Sequence, residues 1–204
     1  MNNTVFKIAR FIARVYLHTF YRFKSLDAKK IPAMGSAILV CNHITFLDWL
    51  FIIAHSPRPL TFVMHYRFTQ IPLLGSLLLK CGIIPICSRK ECPIILDETF
   101  KQIRAKLLAG EIICLFPEGR LTRDGKLGVF KPGIEKIIKE TPVPVIPLTL
   151  TGLWGSFLSC SGKGAFTGFL TRLRPQVTIT SFDAFEPNLT SAESLQTYFQ
   201  EMGV

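Results

Sequence analysis

The chain has 204 residues, 49% of them hydrophobic and 11% aromatic, which suits one folded domain and excludes a disordered one. Its 14 glycines and 13 prolines are near average in number and follow no period, so a collagen-like or low-complexity chain is excluded too. Lys and Arg number 24 against 14 Asp and Glu, and the resulting net charge of +10 calls for an anionic partner: phosphate, acidic lipid, an acidic carrier protein or nucleic acid.

Residues Asn2 to Lys24 show a helical period. Lys7, Arg10, Arg14, His18 and Arg22 share one stripe, and Val5, Ile8, Ile12, Val15, Tyr16, Phe20 and Phe23 fill the broader opposite face. Up to Lys30, Asp27 is the single acidic residue among seven Lys and Arg. A helix lying in a membrane interface is composed this way, with basic groups toward lipid phosphates and aromatic rings in the acyl boundary. The alternative is a first helix docked on the protein's own core with a solvated basic face. The aromatic content of the apolar face favours the membrane, and residues 1–30 are read as a basic docking arm ahead of a domain spanning 31–204. No cleavable signal is evident, because charges recur throughout this arm. Nor does any segment read as a bilayer span: the longest uncharged run, Thr141 to Gly162, is broken by Pro142, Pro144, Pro147, Gly152 and Gly155.

After the arm, short apolar runs alternate with helical patterns. Ser36–Cys41, Leu60–Met64, Ile83–Ile86, Glu111–Phe116, Val143–Leu150 and Val177–Phe182 read as strands. Leu96, Phe100, Ile103 and Leu107 mark a helix that Gly110 ends. Phe68–Leu79, punctuated by Pro72 and Gly75, reads as a buried helix against the sheet, and Ser191–Met202 as a short closing helix. The pattern is α/β with a largely buried sheet flanked by helices. The six cysteines (41, 81, 87, 92, 114 and 160) contain no C-x-x-C pair, and free, mostly buried thiols suit them better than zinc or disulfides.

Three constellations stand at strand ends. Asn42-His43-Ile44-Thr45-Phe46-Leu47-Asp48 follows a strand, with Thr45 placed as a helix N-cap. On a continuous helix His43 and Asp48 would point about 140° apart. With His43 before the cap and Asp48 in the first turn, the carboxylate reaches back to orient the imidazole as a base. A buried histidine bonded to an acidic cap fits the same spacing. Phe116-Pro117-Glu118-Gly119-Arg120 also ends a strand, and its glycine and arginines suit a phosphate, as ligands in open α/β sheets bind beyond the carboxyl ends of strands. An ordinary solvated turn is the alternative. Val143-Pro144-Val145-Ile146-Pro147-Leu148 is studded with proline. Pro147 cannot donate to a ladder, which places this strand at an edge or a bulge, as a wall of the site or as plain core.

In order and separation, NHITFLD, FPEGR and VPVIPL resemble the first, third and fourth motifs of glycerophospholipid acyltransferases of the 1-acyl-glycerol-3-phosphate acyltransferase type. The resemblance covers about Ile31 to Phe185. It implies a mixed sheet wrapped by helices, the glycerolipid acyltransferase-like fold. It also implies His43 as general base with Asp48 orienting it, and Glu118 and Gly119 in the acceptor-phosphate site. Arg120 stands one position earlier than the arginine of the usual motif, and Arg89 stands near the place of the second-motif arginine; both are candidate phosphate ligands. The loop Phe116–Gly133, with Gly152-Leu153-Trp154-Gly155-Ser156, is more similar to lysophosphatidylethanolamine acyltransferase domains.

The reaction so implied moves an acyl group from acyl-coenzyme A or acyl carrier protein, as co-substrate, to the free hydroxyl of a lysophospholipid, without a cofactor or metal. Cys41 and Cys114 offer no rival nucleophile, since nothing in their apolar surroundings lowers a thiol pKa. The expected partners are membrane phospholipids, a lysophospholipid acceptor and the thioester donor, at the cytoplasmic face of a membrane. Nucleic acid is not expected, because no stripe of basic residues interleaved with aromatics exists beyond the arm. A lipid-binding protein without catalysis is the rival of another class, and it needs neither the His43–Asp48 pair nor Glu118.

Overall fold

A computed structural model describes residues 3–155 and 174–204. Cys160 and Ser156, to which expectations were attached, lie outside the described residues, as does the end of the uncharged run at Gly162. The chain opens with α1 (Asn3–Phe20) and β1 (Arg22–Leu26), followed by β2 (Ala37–Cys41), α2 (Asp48–His55) and β3 (Leu60–His65). Then come α3 (Leu74–Lys80), β4 (Ile84–Ile86), α4 (Pro93–Leu108), β5 (Ile112–Leu115) and α5 (Gly133–Glu140). It closes with β6 (Val145–Thr151), β7 (Gln176–Ser181) and α6 (Ala192–Glu201).

The seven strands form one sheet in the order β1-β7-β6-β2-β5-β3-β4. All neighbours are parallel except β6 and β7, so the sheet is mixed. Its centre is buried on both faces, which is why the central strands read as continuous apolar runs. Ala37, Leu39, Cys41, Ile112 and Cys114 join α1 and α2 in one core, while Ile38, Val40 and Ile113 join α4, α5 and α6 in the other.

Several expectations change here. The amino-terminal helix stops at Phe20, and Arg22–Leu26, within the residues read as an arm, pairs in parallel with β7 as an edge of the sheet. The basic stripe of α1 flanks its buried face: Arg10 is half-buried, and Lys7, Arg14 and His18 are exposed. Arg14 Nε donates to the Ala54 carbonyl at 2.9 Å and Arg10 Nε to the same oxygen at 3.5 Å, at the last turn of α2. Helix ends leave carbonyls without amide partners and carry partial negative charge, so cations settle there. Phe6, Ala13 and Leu17 are buried beside them, and Val5, Ile8, Phe11, Ile12, Val15 and Phe20 are left exposed. No helix among the described residues is long and apolar enough to cross a membrane.

Phe68–Leu79 is not a buried helix. A 3₁₀ turn (Tyr66–Gln70) leads to the short α3, which buries Gly75 alone and exposes Leu74, Leu77 and Leu79, and the preceding turn exposes Leu73. Pro147 sits in an interior strand, and of the two expected settings the bulge is the one found. Val145 pairs with Phe185 and Leu148 with Ser181, so two residues of β6 face three of the partner segment. The Pro147 carbonyl still accepts from the Phe182 amide. Cys41, Cys87 and Cys114 are buried, Cys92 is half-buried and Cys81 exposed, all five unbridged. Burial pushes the Cys41 and Cys114 thiols far up, which keeps them inert.

Candidate active site

Parallel pairing of β2 with β5 aligns Val40 with Leu115, so the residues three further along, His43 and Glu118, emerge side by side at the carboxyl ends of the two strands. Asp48 is wholly buried at the start of α2. Its Oδ2 accepts from His43 Nδ1 at 2.8 Å and from the Ile44 amide at 2.6 Å. Its Oδ1 accepts from the Thr45 amide at 3.0 Å and the Thr45 hydroxyl at 2.7 Å. Thr45 is therefore not the N-cap: the helix begins at Asp48, and its carboxylate reaches backward to gather the preceding turn. By accepting from Nδ1, Asp48 fixes the tautomer that leaves Nε2 as the basic nitrogen. The His43 side chain is 22% exposed, and Nε2 has no partner among the described residues. The Phe116 ring stacks on the imidazole at 4.1 Å between centroids, with 19° between planes, so the ring has one orientation.

Glu118 is 3% exposed. Its Oε1 accepts from the His43 amide at 2.8 Å and its Oε2 from the Gly128 amide at 2.7 Å. Burial raises its pKa, and the two amides pull against that rise. Both oxygens are thus committed to amides, and through the first of them Glu118 positions the His43 main chain. Gly128 has to be glycine here, because a β-carbon would strike the Glu118 carboxylate.

The loop after Glu118 wraps the histidine. The Thr122 amide donates to the His43 carbonyl at 2.9 Å, and the Thr122 hydroxyl donates to the Lys126 carbonyl at 2.7 Å. Gly119 adopts φ +62, a left-handed conformation that glycine takes without strain. Arg120 is exposed beside it. Neither Arg120 nor Arg123, Lys126 or Lys131 forms an ion pair among the described residues. On the other flank, the Asn42 amide group donates to the Leu150 carbonyl and accepts from its amide, at 2.9 and 2.8 Å, extending the β2–β6 ladder beyond Cys41 with a side chain.

The structure thus unites His43, Asp48, Glu118, Gly119 and Arg120. Arg89 follows β4, two strands from β5, and faces Asp97 at 3.5 Å. Sequence reasoning assigned no role to Asn42, to the Phe116 ring, to Thr122 or to Lys131. Each acts through a main-chain bond or a stack set by strand pairing, which linear spacing does not display.

Residues 22–151 match the family model described as Acyltransferase. A 1-acyl-sn-glycerol-3-phosphate acyltransferase of Chlamydomonas reinhardtii is 31% identical over 176 residues, 83% of this chain and 48% of the relative. A chloroplastic enzyme of that name from Arabidopsis thaliana is 28% identical over 77% of this chain and 43% of its own length. One from Borreliella burgdorferi is 26% identical over 80% and 65%. The chain spans about half the length of the curated relatives it matches. The crystal structure of the 1-acyl-sn-glycerophosphate acyltransferase PlsC from Thermotoga maritima superposes with a TM-score of 0.73 at 21% identity, covering 97% of this chain and 76% of that one. The two share a fold.

Proposed function

The chain belongs to the acyltransferase family, and from that membership we propose that it transfers a fatty acyl group from a thioester to the free hydroxyl of 1-acyl-glycerol 3-phosphate in phospholipid synthesis. The observation that carries this reading is the His43–Asp48 pair, buried on the carboxylate side and open at Nε2. Nε2 takes the hydroxyl proton as the oxygen attacks the thioester carbonyl. The C–O bond forms, the C–S bond breaks, and the imidazolium returns its proton to the departing thiolate. Asp48, hydrogen-bonded to Nδ1, stabilises the imidazolium in between. The thioester is already activated, so no acyl-enzyme, cofactor or metal is required. Acyl-coenzyme A and acyl carrier protein are both donors of the right chemistry.

The reading includes attachment to the cytoplasmic face of a membrane through the outward apolar side of α1, supported by its exposed Ile8, Phe11, Ile12 and Val15 and by the net positive charge, which suits an anionic leaflet.

The test is acyl transfer by the purified protein in lipid or detergent, with each donor offered lysophosphatidate, lysophosphatidylethanolamine and glycerol 3-phosphate. His43→Ala is expected to lose ~10²–10⁴-fold in turnover. A loss below about tenfold would remove His43 as the base. Transfer confined to lysophosphatidylethanolamine would reassign the acceptor, and no transfer beside intact liposome binding would leave a lipid-binding protein.

A further inference from the structure

The Lys131 ammonium occupies the space that a β-carbon on residue 119 would need. Its aliphatic stem lies against the same position, with Cε 3.0 Å and Cδ 3.2 Å from it. Its own amide donates to the Pro117 carbonyl at 2.9 Å, so the backbone of residue 131 is pinned to the strand end that carries Glu118. The side chain thus crosses directly over Gly119, and it has neither ion pair nor hydrogen bond among the described residues. Lys131 is exposed, and a cation lying on a loop without an ion-pair partner among the described residues is open to an anion from outside. The residues it crosses belong to a loop tied at both ends to the His43 main chain: Glu118 accepts from the His43 amide, and the Thr122 amide donates to the His43 carbonyl.

We propose that Lys131, reaching across the side-chain-free Gly119, binds the phosphomonoester of the acceptor and so sets the preference for a phosphorylated glycerol over a neutral one. This rests on the acyl-transfer reading above. In that acceptor the reacting hydroxyl stands on the carbon next to the phosphate-bearing one, so its anion has to bind close to the base, and Lys131 lies on the loop that residues 118 and 122 tie to His43. Gly119 then has two duties, a left-handed turn and an open path for the lysine.

The experiment compares the full-length wild type with Lys131→Met, Lys131→Arg and Gly119→Ala, using lysophosphatidate and monoacylglycerol as acceptors. Lys131→Met is expected to raise KM for lysophosphatidate by about 10- to 100-fold, with kcat held within about threefold and Tm unchanged. Monoacylglycerol kinetics stay as they were, and Lys131→Arg recovers most of the loss. Gly119→Ala displaces the ammonium and raises the same KM, and the double variant is no worse than the worse single one. A fall in kcat alone, or equal losses on both acceptors, would overturn the proposal. If the wild type transfers nothing, the acyl-transfer reading fails by itself. Lys131 is then judged by NMR titration with inorganic phosphate: weaker binding in Lys131→Met sustains an anion site, and equal binding ends it.

Discussion

Glu118 holds its charge away from water and spends both oxygens on amides from two segments, at residues 43 and 128. Glutamine at this position keeps one acceptor and turns an NH₂ toward the other amide, leaving a buried donor unpaired at a cost of about 1–3 kcal/mol. Glu118→Gln is therefore expected to lower Tm and to cut kcat at least about tenfold by shifting the His43 main chain, with thermal denaturation and turnover as the readouts. Unchanged turnover would mean that the imidazole is held by Asp48 and Phe116 alone. His55 makes a second residue-scale prediction. Its ring is wholly buried, with Nδ1 on the Ser25 hydroxyl and Nε2 on that of Ser181, both at 2.7 Å. Burial first, then Arg10 and Arg14, bring its pKa down to about 4. The unfolded chain takes up that proton near pH 6.5 and the fold refuses it until about 4, so stability is present above this window and lost as pH falls through it. The full loss is about 3 kcal/mol. His55→Gln removes the titration, so urea denaturation at pH 7 and 4.5 is expected to show a smaller acid loss in the variant; equal losses would refute it. His43 and Asp48 were legible at this scale because they are five residues apart across a helix start, where a carboxylate can reach back to the ring. The Glu118 role was not, since its partners lie 75 and 10 residues away.

At the scale of elements, α1 shows how a periodicity can be right and its orientation unreadable. The two stripes are where the sequence puts them, yet Phe6, Ala13 and Leu17 make the buried face, the arginines flank it on the Ala54 carbonyl, and the broad apolar side faces out. Phe11→Asp with Ile12→Asp is expected to abolish sedimentation with anionic liposomes and leave Tm within a degree or so, as both side chains are already exposed. Retained sedimentation would place the lipid contact elsewhere. The end of α1 was misread because Arg22–Leu26 buries Phe23 only, too little alternation to declare a strand. Leu74–Lys80 was misread for the opposite reason, since a short apolar run does not say whether anything covers it. Sequence reasoning passed over α5, whose Ile134, Ile137 and Ile138 stripe spans barely two turns.

For the molecule as a whole, composition and alternating runs conveyed an α/β sheet, while the neighbour relations that build the site had to come from the three-dimensional pairing. Nothing local in residues 37–41 or 112–115 says that they adjoin, and it is their register that sets His43 beside Glu118. The ordered motifs stood in for that information. The same pairing closes the amino terminus into the body: Phe6, Ala13, Leu17, Tyr21 and Phe23 share one core with Phe51 and Leu148. Deleting residues 1–20 is thus expected to yield aggregated or strongly destabilised protein, checked by light scattering and thermal melting. A soluble truncation with native Tm would make α1 a separable appendage.

The eight residues of α2 have a bearing on where the reaction takes place. One end holds α1 through the Ala54 carbonyl, and the other begins with Asp48. The axial distance between those two residues is about 9 Å. Under the proposed attachment of α1 to the lipid surface, this short strut would fix the stand-off between the bilayer and His43. The proposed acceptor would then be acylated with its tail still in the leaflet, and the product would reach the membrane without crossing water.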